Sequence, residues 1–155
     1  MSAATSWSQR LRELGIALPA VVPPVAAYVP AARTGTLVYT AGQLPMVDGK
    51  LAASGKVGAG VTPERAKELA RVCALNALAA VDGLVGIDAV VRVVKVVGFV
   101  SSAPGFTGQP AVVNGASELF GQVFGEAGQH ARSAVGVAEL PLNAPVEVEV
   151  ILEVS

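Results

Sequence analysis

The sequence predicts an α+β fold in which a mixed β-sheet carries two long helices on one face. Two strand-like runs precede the first long helix, two follow the second, and a run rich in β-branched residues separates the helices. Helices segregated between antiparallel pairs are typical of this class. Hydrophobic residues make up 52% of the 155 residues, which excludes disorder because the chain can bury ample apolar surface. The length fits one domain.

A short amphipathic helix is predicted at the N-terminus, over Ser6 to Leu14. Its apolar residues recur three and four positions apart, as on one face of a helix. They are Trp7, Leu11 and Leu14. We assign residues 1–24 to an N-terminal extension that carries this helix and residues 25–155 to the single domain.

Two strand-like runs follow a proline-rich link. The runs Val25 to Ala32 and Thr36 to Thr40 flank Arg33-Thr34-Gly35, which is typical of a hairpin turn. A loop over Ala41 to Pro45 ends the hairpin. The segment from Asp48 to Gly60 is rich in glycine, and we predict a flexible excursion there.

The clearest helix begins after Thr62, a predicted N-cap, with Pro63 at its first position and Glu64 in its first turn. It runs to about Leu84 and carries an apolar stripe at helical spacing. The stripe comprises Ala66, Leu69, Ala70, Cys73, Ala77, Ala80 and Leu84.

The next segment, Ala89 to Val100, is too continuously apolar for a half-solvated strand, so we predict a strand covered on both faces. Arg92 and Lys95 stand an odd number of residues apart. A regular strand would point them to opposite faces, which predicts a bulge or one charge near an interface.

A second long helix is predicted from about Ala111 to Glu126, followed by strands over Ser133 to Glu139 and Val146 to Val154. The inner face of this helix comprises Val113, Ala116, Phe120, Val123 and Phe124. The last strand alternates valine with glutamate, which is the pattern of a half-buried strand.

Charge and composition exclude several classes of protein. A net charge of −1 and a pI near 5.8 argue against a dedicated nucleic-acid binder. The two long uncharged runs, Leu14 to Ala32 and Val96 to Ser117, contain prolines and glycines that rule out a lipid-embedded backbone. We expect a cytoplasmic protein without membrane contact. The surplus apolar surface then predicts a subunit interface.

Three candidate chemistries have weak sequence support. The run Gly55 to Gly60 lacks the residues of a phosphate-binding P-loop. His130 is the single histidine, so one chain cannot assemble a Ser–His pair, a Cys–His pair or a histidine-rich metal site, and we expect a surface or helix-end side chain. Cys73 lies on an inner helical stripe, where a thiol is usually inert.

Arg132 and Glu147 leave alternatives open. Arg132 stands before an apolar strand with no acidic residue nearby in sequence, so it needs an anionic partner. A structural ion pair with a glutamate of another strand is the commoner case, and a substrate carboxylate held by two hydrogen bonds is the other. Glu147 alternates with valines, which by itself favours a solvent-facing or ladder-edge glutamate.

A series of motifs occurs in one order along the chain and resembles the YjgF/RidA family of reactive-intermediate deaminases, also described as endoribonuclease L-PSP-like. The resemblance covers Val25 to Val154. Its motifs are Tyr28 in a Tyr-x-x-Ala setting, Thr40-Ala41-Gly42-Gln43-Leu44-Pro45, Asn76, Val94 to Val100, Asn114 in Val-Asn-x-x-x-x-x-Phe, Ala131-Arg132-Ser133 through Leu140-Pro141, and Val146-Glu147-Val148-Glu149.

The resemblance implies a fold similar to Bacillus-type chorismate mutase, assembled as a homotrimer with its sheets inward, its helices outside and its sites in clefts between subunits. Members of the family typically hydrolyse 2-imino or enamine acids to 2-keto acids and ammonia. The resemblance implies no metal and no organic cofactor. The expected partners are other copies of the chain and a small carboxylate or imino-acid ligand.

The resemblance also implies roles for individual residues. Arg132 would bind the substrate carboxylate, Glu147 would orient or activate the attacking water, and these two are the candidate catalytic residues. Tyr28 would close the site from one side, and the backbone of Ala134 would contact the imine end. The remaining candidate substrate-binding residues are Ala41, Gly42 and Asn114.

Three positions depart from the family pattern. Ala41 stands where a serine is usual, Ala134 where a cysteine is usual, and Ala26-Ala27 where Gly-Pro is usual. The first two changes remove a hydroxyl and a thiol from the expected pocket, which motivates a non-catalytic carboxylate binder or regulator as the alternative function. Ribonuclease activity or inhibition of translation, attributed to some relatives, is disfavoured by the acidic pI and the single histidine.

Overall fold

The computed structural model describes residues 5–24 and 26–155. Its helices and strands follow in chain order: α1 Trp7–Glu13, β1 Ala31–Thr34, β2 Leu37–Thr40, β3 Met46–Val47, β4 Lys50–Leu51, α2 Pro63–Val85, β5 Val90–Ser101, α3 Gln109–Phe124, β6 Ala131–Val137 and β7 Val146–Val154. Three short 3₁₀ turns connect them, at Ile87–Ala89, Gly125–Gly128 and Pro141–Asn143. None of the helices in these ranges is both long enough and apolar enough to span a membrane.

The main sheet has five strands in the order β1-β2-β7-β5-β6. Only β5 and β6 pair in parallel, and α3 provides the crossover that a parallel pair needs. The other neighbours are antiparallel, and β3 and β4 form a separate hairpin. The predicted α+β class with a mixed sheet is therefore confirmed, with β1 and β6 as its edge strands.

One face of the sheet carries α2 and α3, and the other, which we call the open face, carries no helix of the described chain. Gly98 on β5 lets α3 approach closely, since an added Cβ would lie 2.4 Å from the side chain of Val113. Alternate residues of β7 are buried beneath the helices: Val146, Val148, Val150, Leu152 and Val154. The intervening glutamates of β7 therefore point to the open face.

The bulge predicted around Arg92 and Lys95 is confirmed. The pairing of β5 with β7 is irregular just before each of these residues. Arg92 is opposite Glu153 and Lys95 is opposite Ile151. Because these partners are two residues apart on β7, the bulge places both basic side chains on the open face.

The strand expected over Val25 to Ala32 is wrong for most of its length. Residues 26–28 and Pro30 form bends, β1 begins only at Ala31, and Val25 lies outside the described residues. Pro30 has no backbone N–H to donate to a strand ladder, which accounts for the late start. The predicted hairpin with the second strand is present.

Other boundaries shift for local reasons. The second long helix ends at Phe124, before the expected Glu126, because Gly125 adopts a positive φ of 58°. The glycine-rich excursion contains the turn and second strand of the β3–β4 hairpin and is held by Val57, whose N–H donates to the Ser101 carbonyl at 2.8 Å. The strand β5 is buried on its helix side only, and the open face of this chain leaves Val97 and Phe99 half-buried.

The N-terminal helix α1 is fastened to the body of the fold. The Trp7 indole N–H donates to the Val90 carbonyl at 2.7 Å, and its ring meets Phe124 edge-on with 5.1 Å between centroids. Leu11 is only 5% exposed and joins the hydrophobic core. The helix predicted at the N-terminus is thus part of the packed structure.

Hydrogen bonds between Ser8 and Asp88 hold the start of α1. The backbone N–H and the hydroxyl of Ser8 donate to the two carboxylate oxygens of Asp88 at 2.8 and 2.7 Å. These hydrogen bonds lower the pKa of Asp88 below its ordinary value because they stabilise the ionised form.

We expect Leu11→Ala to destabilise the whole domain, because it removes a buried side chain and leaves a cavity. The expected loss is about 2 kcal/mol in the free energy of unfolding. Chemical denaturation measures it, with Leu84→Ala as the matched control because Leu84 is exposed. Equal, small losses in the two variants would show that α1 contributes little to the core.

Candidate active site

A concavity of about 730 Å³ lies on the open face of the sheet. Two glutamates of β7, Glu147 and Glu149, lie in it, together with the aromatic rings of Tyr28 and Phe99. The loop that follows β2 contributes its first residues, Ala41 and Gly42. Its volume, and a wall that combines polar with apolar groups, can accommodate a small organic molecule.

Glu147 is the most perturbed acidic group of this concavity. Burial raises the pKa of Glu147 above its ordinary value, and the neighbouring negative charge of Glu149 raises it further. A carboxylate whose pKa is raised holds a proton more readily at neutral pH, which suits a group that accepts a proton and returns it. The sequence pattern favoured a solvent-facing position for Glu147. In the structure its side chain is instead half-buried in this concavity.

Gly42 provides the space in which the Glu147 carboxyl lies. A Cβ added at Gly42 would stand 2.8 Å from the carboxyl carbon and 2.9 Å from Oε2. A side chain at this position would therefore displace the carboxyl group. The glycine requirement here comes from close approach, since the backbone of Gly42 does not adopt a positive φ.

Hydrogen bonds from two directions hold the loop that carries this glycine. Gln43 exchanges backbone hydrogen bonds with Val148 of β7, at 2.8 and 3.0 Å. From the helix side, the buried Asn76 amide donates to the carbonyls of Leu44 and Met46 at 3.1 and 3.0 Å. The loop is thus fixed against both β7 and α2, and the position of Glu147 relative to it is fixed as well.

If Glu147 is the catalytic carboxylate of this concavity, we expect Gly42→Ala to reduce the catalytic rate strongly while leaving the fold intact. The added methyl group meets the end of a flexible side chain, which can rotate away at little cost in stability. A displacement of about 1 Å at a catalytic group can reduce the rate by about 100-fold. Gly121→Ala, at a position with open space on α3, is the matched control. Wild-type rates in Gly42→Ala would contradict this geometry.

Arg132 lies on the helix side of β6 and is held by three neutral oxygens. Its guanidinium donates to the Asn114 side-chain oxygen at 2.7 Å, to the Ser117 hydroxyl at 3.2 Å and to the Pro110 carbonyl at 3.3 Å. No carboxylate of residues 5–24 or 26–155 forms a salt bridge with it. The structural ion pair favoured by the sequence pattern is therefore not formed among these described residues.

The hydrogen bonds continue from Arg132 to the single histidine. Because a guanidinium only donates, the Ser117 hydroxyl accepts from it, and the same oxygen lies 2.9 Å from His130 Nε2. His130 Nδ1 then donates to the Gly128 carbonyl at 2.6 Å. A carbonyl only accepts, so this hydrogen bond places a proton on Nδ1. His130 follows a 3₁₀ turn, as expected of a helix-end histidine, and it also orients the arginine.

Arg132 and Glu147 point to opposite faces of the sheet in one chain. Arg132 is paired with Val96, which is buried under the helices, whereas Glu147 is paired with Phe99 on the open face. Positions 96 and 99 are an odd number of residues apart within a regular part of β5, so their side chains alternate. One chain alone therefore does not bring the two candidate catalytic groups together.

The other candidate residues divide between these two regions. Tyr28 and Ala41 line the concavity with Glu147, whereas Asn114 supports Arg132. Ala134 lies two residues beyond Arg132 on the same side of the edge strand β6 and packs against the core. Sequence reasoning missed Ser117, although it stands three residues after Asn114, on the same face of α3.

Cys73 takes no part in either region as a nucleophile. The thiol is fully buried on α2, as the sequence predicts, and its Sγ lies 3.7 Å from the Val146 carbonyl. Burial raises the pKa of Cys73 well above its ordinary value, and the charge of Glu147 adds to this effect. A thiol that stays protonated is a poor nucleophile.

A five-stranded mixed sheet with helices on one face and a concavity on the other defines the class as α+β. Residues 8–154 match the family model described as "YjgF/chorismate mutase-like, putative endoribonuclease". The chain belongs to this family.

Several relatives are similar over nearly the whole chain. Protein TCP17 of Trypanosoma cruzi is 44% identical over 147 residues, which are 94% of this chain and 92% of the relative. The crystal structure of Atu1372 from Agrobacterium tumefaciens, a protein described as of unknown function, has 46% identity and a TM-score of 0.88, covering 96% of this chain and 92% of that one.

A structure from Shewanella oneidensis, described as a "putative endoribonuclease", has 29% identity and a TM-score of 0.92, covering 97% of this chain and all of that one (100%).

Proposed function

We propose that the protein hydrolyses 2-imino and enamine acids to 2-keto acids and ammonia, in a cleft where Arg132 of one copy faces Glu147 of another. The observation that carries this proposal is the guanidinium of Arg132, which three neutral oxygens orient and no described carboxylate neutralises. A cation oriented in this way is suited to bind the carboxylate of a ligand.

The positions of the two groups support a site that two copies share. Arg132 lies on an edge strand, where the outer side of the backbone has no neighbouring strand, and Glu147 lies on the open face. That face also presents apolar side chains that are exposed or half-buried in one chain, among them Val97, Phe99 and Val135. A homotrimer with its sheets inward would cover these side chains.

In the proposed reaction, Arg132 binds the carboxylate of a protonated imine and the backbone near Ala134 contacts its nitrogen end. Glu147 takes a proton from water as the water oxygen bonds to C2, which gives a neutral carbinolamine. Glu147 then passes this proton to the nitrogen. The C–N bond breaks, the departing ammonia takes the proton of the hydroxyl, and the products are a 2-keto acid and ammonium.

A second candidate function is binding of a small carboxylate without turnover. Ala41 and Ala134 favour it, because neither side chain offers a hydrogen bond to a ligand or to the attacking water. In this case a 2-keto acid raises the melting temperature of the protein through binding to its folded state, and no ammonia is released.

The deciding experiment follows the decay of a 2-imino acid that an amino-acid oxidase produces in situ. The deaminase proposal predicts that purified protein accelerates the release of ammonia in proportion to its concentration. Gly121→Ala is the control that retains full acceleration. Stabilisation by 2-keto acids without any acceleration, over several imino acids, would favour the binder instead.

A further inference from the structure

We infer that an apolar cavity beside Glu147 receives the side chain of the substrate, so that the protein acts on 2-imino acids with bulky apolar side chains. This inference rests on the proposed function. The cavity has a volume of about 320 Å³ and shares Tyr28 and Gly42 with the concavity that contains Glu147. A ligand whose C2 lies at Glu147 can therefore extend its side chain past Gly42 into this second space.

The walls of the cavity select for an apolar group. They are formed by the proline-rich link at 22–24, by Leu44 and Met46 from the loop after β2, and by Leu142. No acidic or basic side chain is among the lining residues of the described chain. A charged substrate side chain would be buried there without a partner, which is costly, whereas an aliphatic or aromatic one loses only contact with water.

Leu142 provides an independent indication of a ligand. It adopts a left-handed backbone conformation, with φ 59° and ψ 17°, that leucine rarely adopts. Its side chain nevertheless remains 62% exposed at the rim of the cavity. Strained residues of this kind concentrate at ligand-binding sites.

Backbone hydrogen bonds hold this strained turn in place. The Asn143 carbonyl accepts from the N–H of Gly55 at 2.9 Å, and Ala144 N–H donates to the Pro141 carbonyl at 3.1 Å. The turn therefore presents Leu142 to the cavity mouth in a fixed position. We assign Leu142 as the residue that covers the substrate side chain.

The test compares kcat/KM for an imino acid with a large apolar side chain and for the one derived from alanine, which serves as the small reference. The imino acid derived from leucine is expected to have a kcat/KM about 10- to 100-fold above that derived from alanine. Met46→Glu, which places a carboxylate in the cavity, should remove this preference. Val47→Glu is the matched control because Val47, the next residue of β3, is exposed and does not line the cavity.

A second variant keeps the test decisive if Met46→Glu fails to fold. Leu142→Ser changes an exposed side chain, and we expect it to reduce the preference for the leucine-derived substrate by about 3- to 10-fold. Leu84→Ser, also at an exposed leucine, should leave the preference unchanged. Equal kcat/KM for both substrates in the wild type, or a preference that neither cavity variant alters, overturns the inference.

Binding measurements separate this inference from the proposed function. Calorimetry should show that the wild type binds 4-methyl-2-oxopentanoate more tightly than the smaller pyruvate. Leu142→Ser should bind 4-methyl-2-oxopentanoate more weakly than the wild type does. This binding preference without turnover would support the assignment of the cavity to the ligand side chain and contradict the proposed deaminase activity. Turnover without any side-chain preference would support the deaminase and contradict the cavity. Absence of both binding and turnover would overturn both.

Discussion

Replacement of Arg132 by alanine is expected to abolish deamination and to weaken binding of 2-keto acids. The variant removes the group assigned in the proposed site to neutralise the ligand carboxylate and fix its orientation. Loss of such a clamp reduces kcat/KM by roughly 100-fold or more. The fold should persist, because the oxygens of Asn114 and Ser117 that bind the guanidinium can bind water instead.

Two further arginine variants make this test specific. Arg132→Lys keeps the positive charge and loses the planar pair of donors, so we expect partial activity with a raised KM. Arg92→Ala removes an exposed arginine of β5 and should retain wild-type kinetics. Full activity in Arg132→Ala, measured as ammonia release, would show that the carboxylate is bound elsewhere.

Replacement of Glu147 by glutamine is expected to abolish turnover and at the same time to stabilise the protein at neutral pH. The raised pKa of Glu147 means that the folded state disfavours its ionised form, because of burial and of the nearby Glu149. Above this raised pKa the ionised carboxylate therefore reduces the stability of the folded protein. Glutamine has a similar shape without the charge, so the cost disappears.

The pH dependence gives the sign of this effect. Below the ordinary pKa of a glutamate, Glu147 is protonated in both the folded and the unfolded state, so wild type and Glu147→Gln should be equally stable. The advantage of the variant should grow as the pH rises above the ordinary pKa of a glutamate and be complete once the pH exceeds the raised pKa of Glu147 in the folded state. Thermal unfolding at about pH 3.5 and about pH 8 brackets this range. A variant less stable than wild type at the higher pH would contradict the assigned environment.

The same perturbation should set the acidic limit of activity. As a base, Glu147 must be ionised, so the rate should fall at a higher pH than the ordinary pKa of a glutamate would give. Glu149→Gln removes one cause of the raised pKa of Glu147, and we expect it to move this limit to lower pH. Glu153→Gln, a change to another glutamate of β7, is the control.

Local patterns in the sequence were sufficient to predict several elements. The alternation of valine and glutamate predicted β7 over the residues that the structure shows, Val146–Val154. Thr62 caps α2 as expected, with its side chain accepting from the N–H of Arg65 at 3.1 Å. Both features depend on neighbours in the chain, which is why the sequence alone predicts them.

Features that depend on tertiary contacts were less predictable. The strand expected from Val25 onward is shortened by backbone constraints around Pro30, and the segment expected to be flexible is held by β5 through Val57. The path from Arg132 through Ser117 to His130 joins α3 to β6 and has no local signature. Sequence reasoning named Arg132 and Glu147 as one site, and only the sheet register shows that one chain separates them.

Activity of a mixture of two inactive variants tests the shared site most directly. In the proposed homotrimer, co-expressed Arg132→Ala and Glu147→Gln chains would form mixed oligomers, in which some clefts combine an intact Arg132 from one copy with an intact Glu147 from another. Random assembly at equal amounts gives about a quarter of such clefts. We predict about that fraction of wild-type ammonia release from the mixture and none from either variant alone. A mixture as inactive as its components would contradict a site built from two copies of the chain.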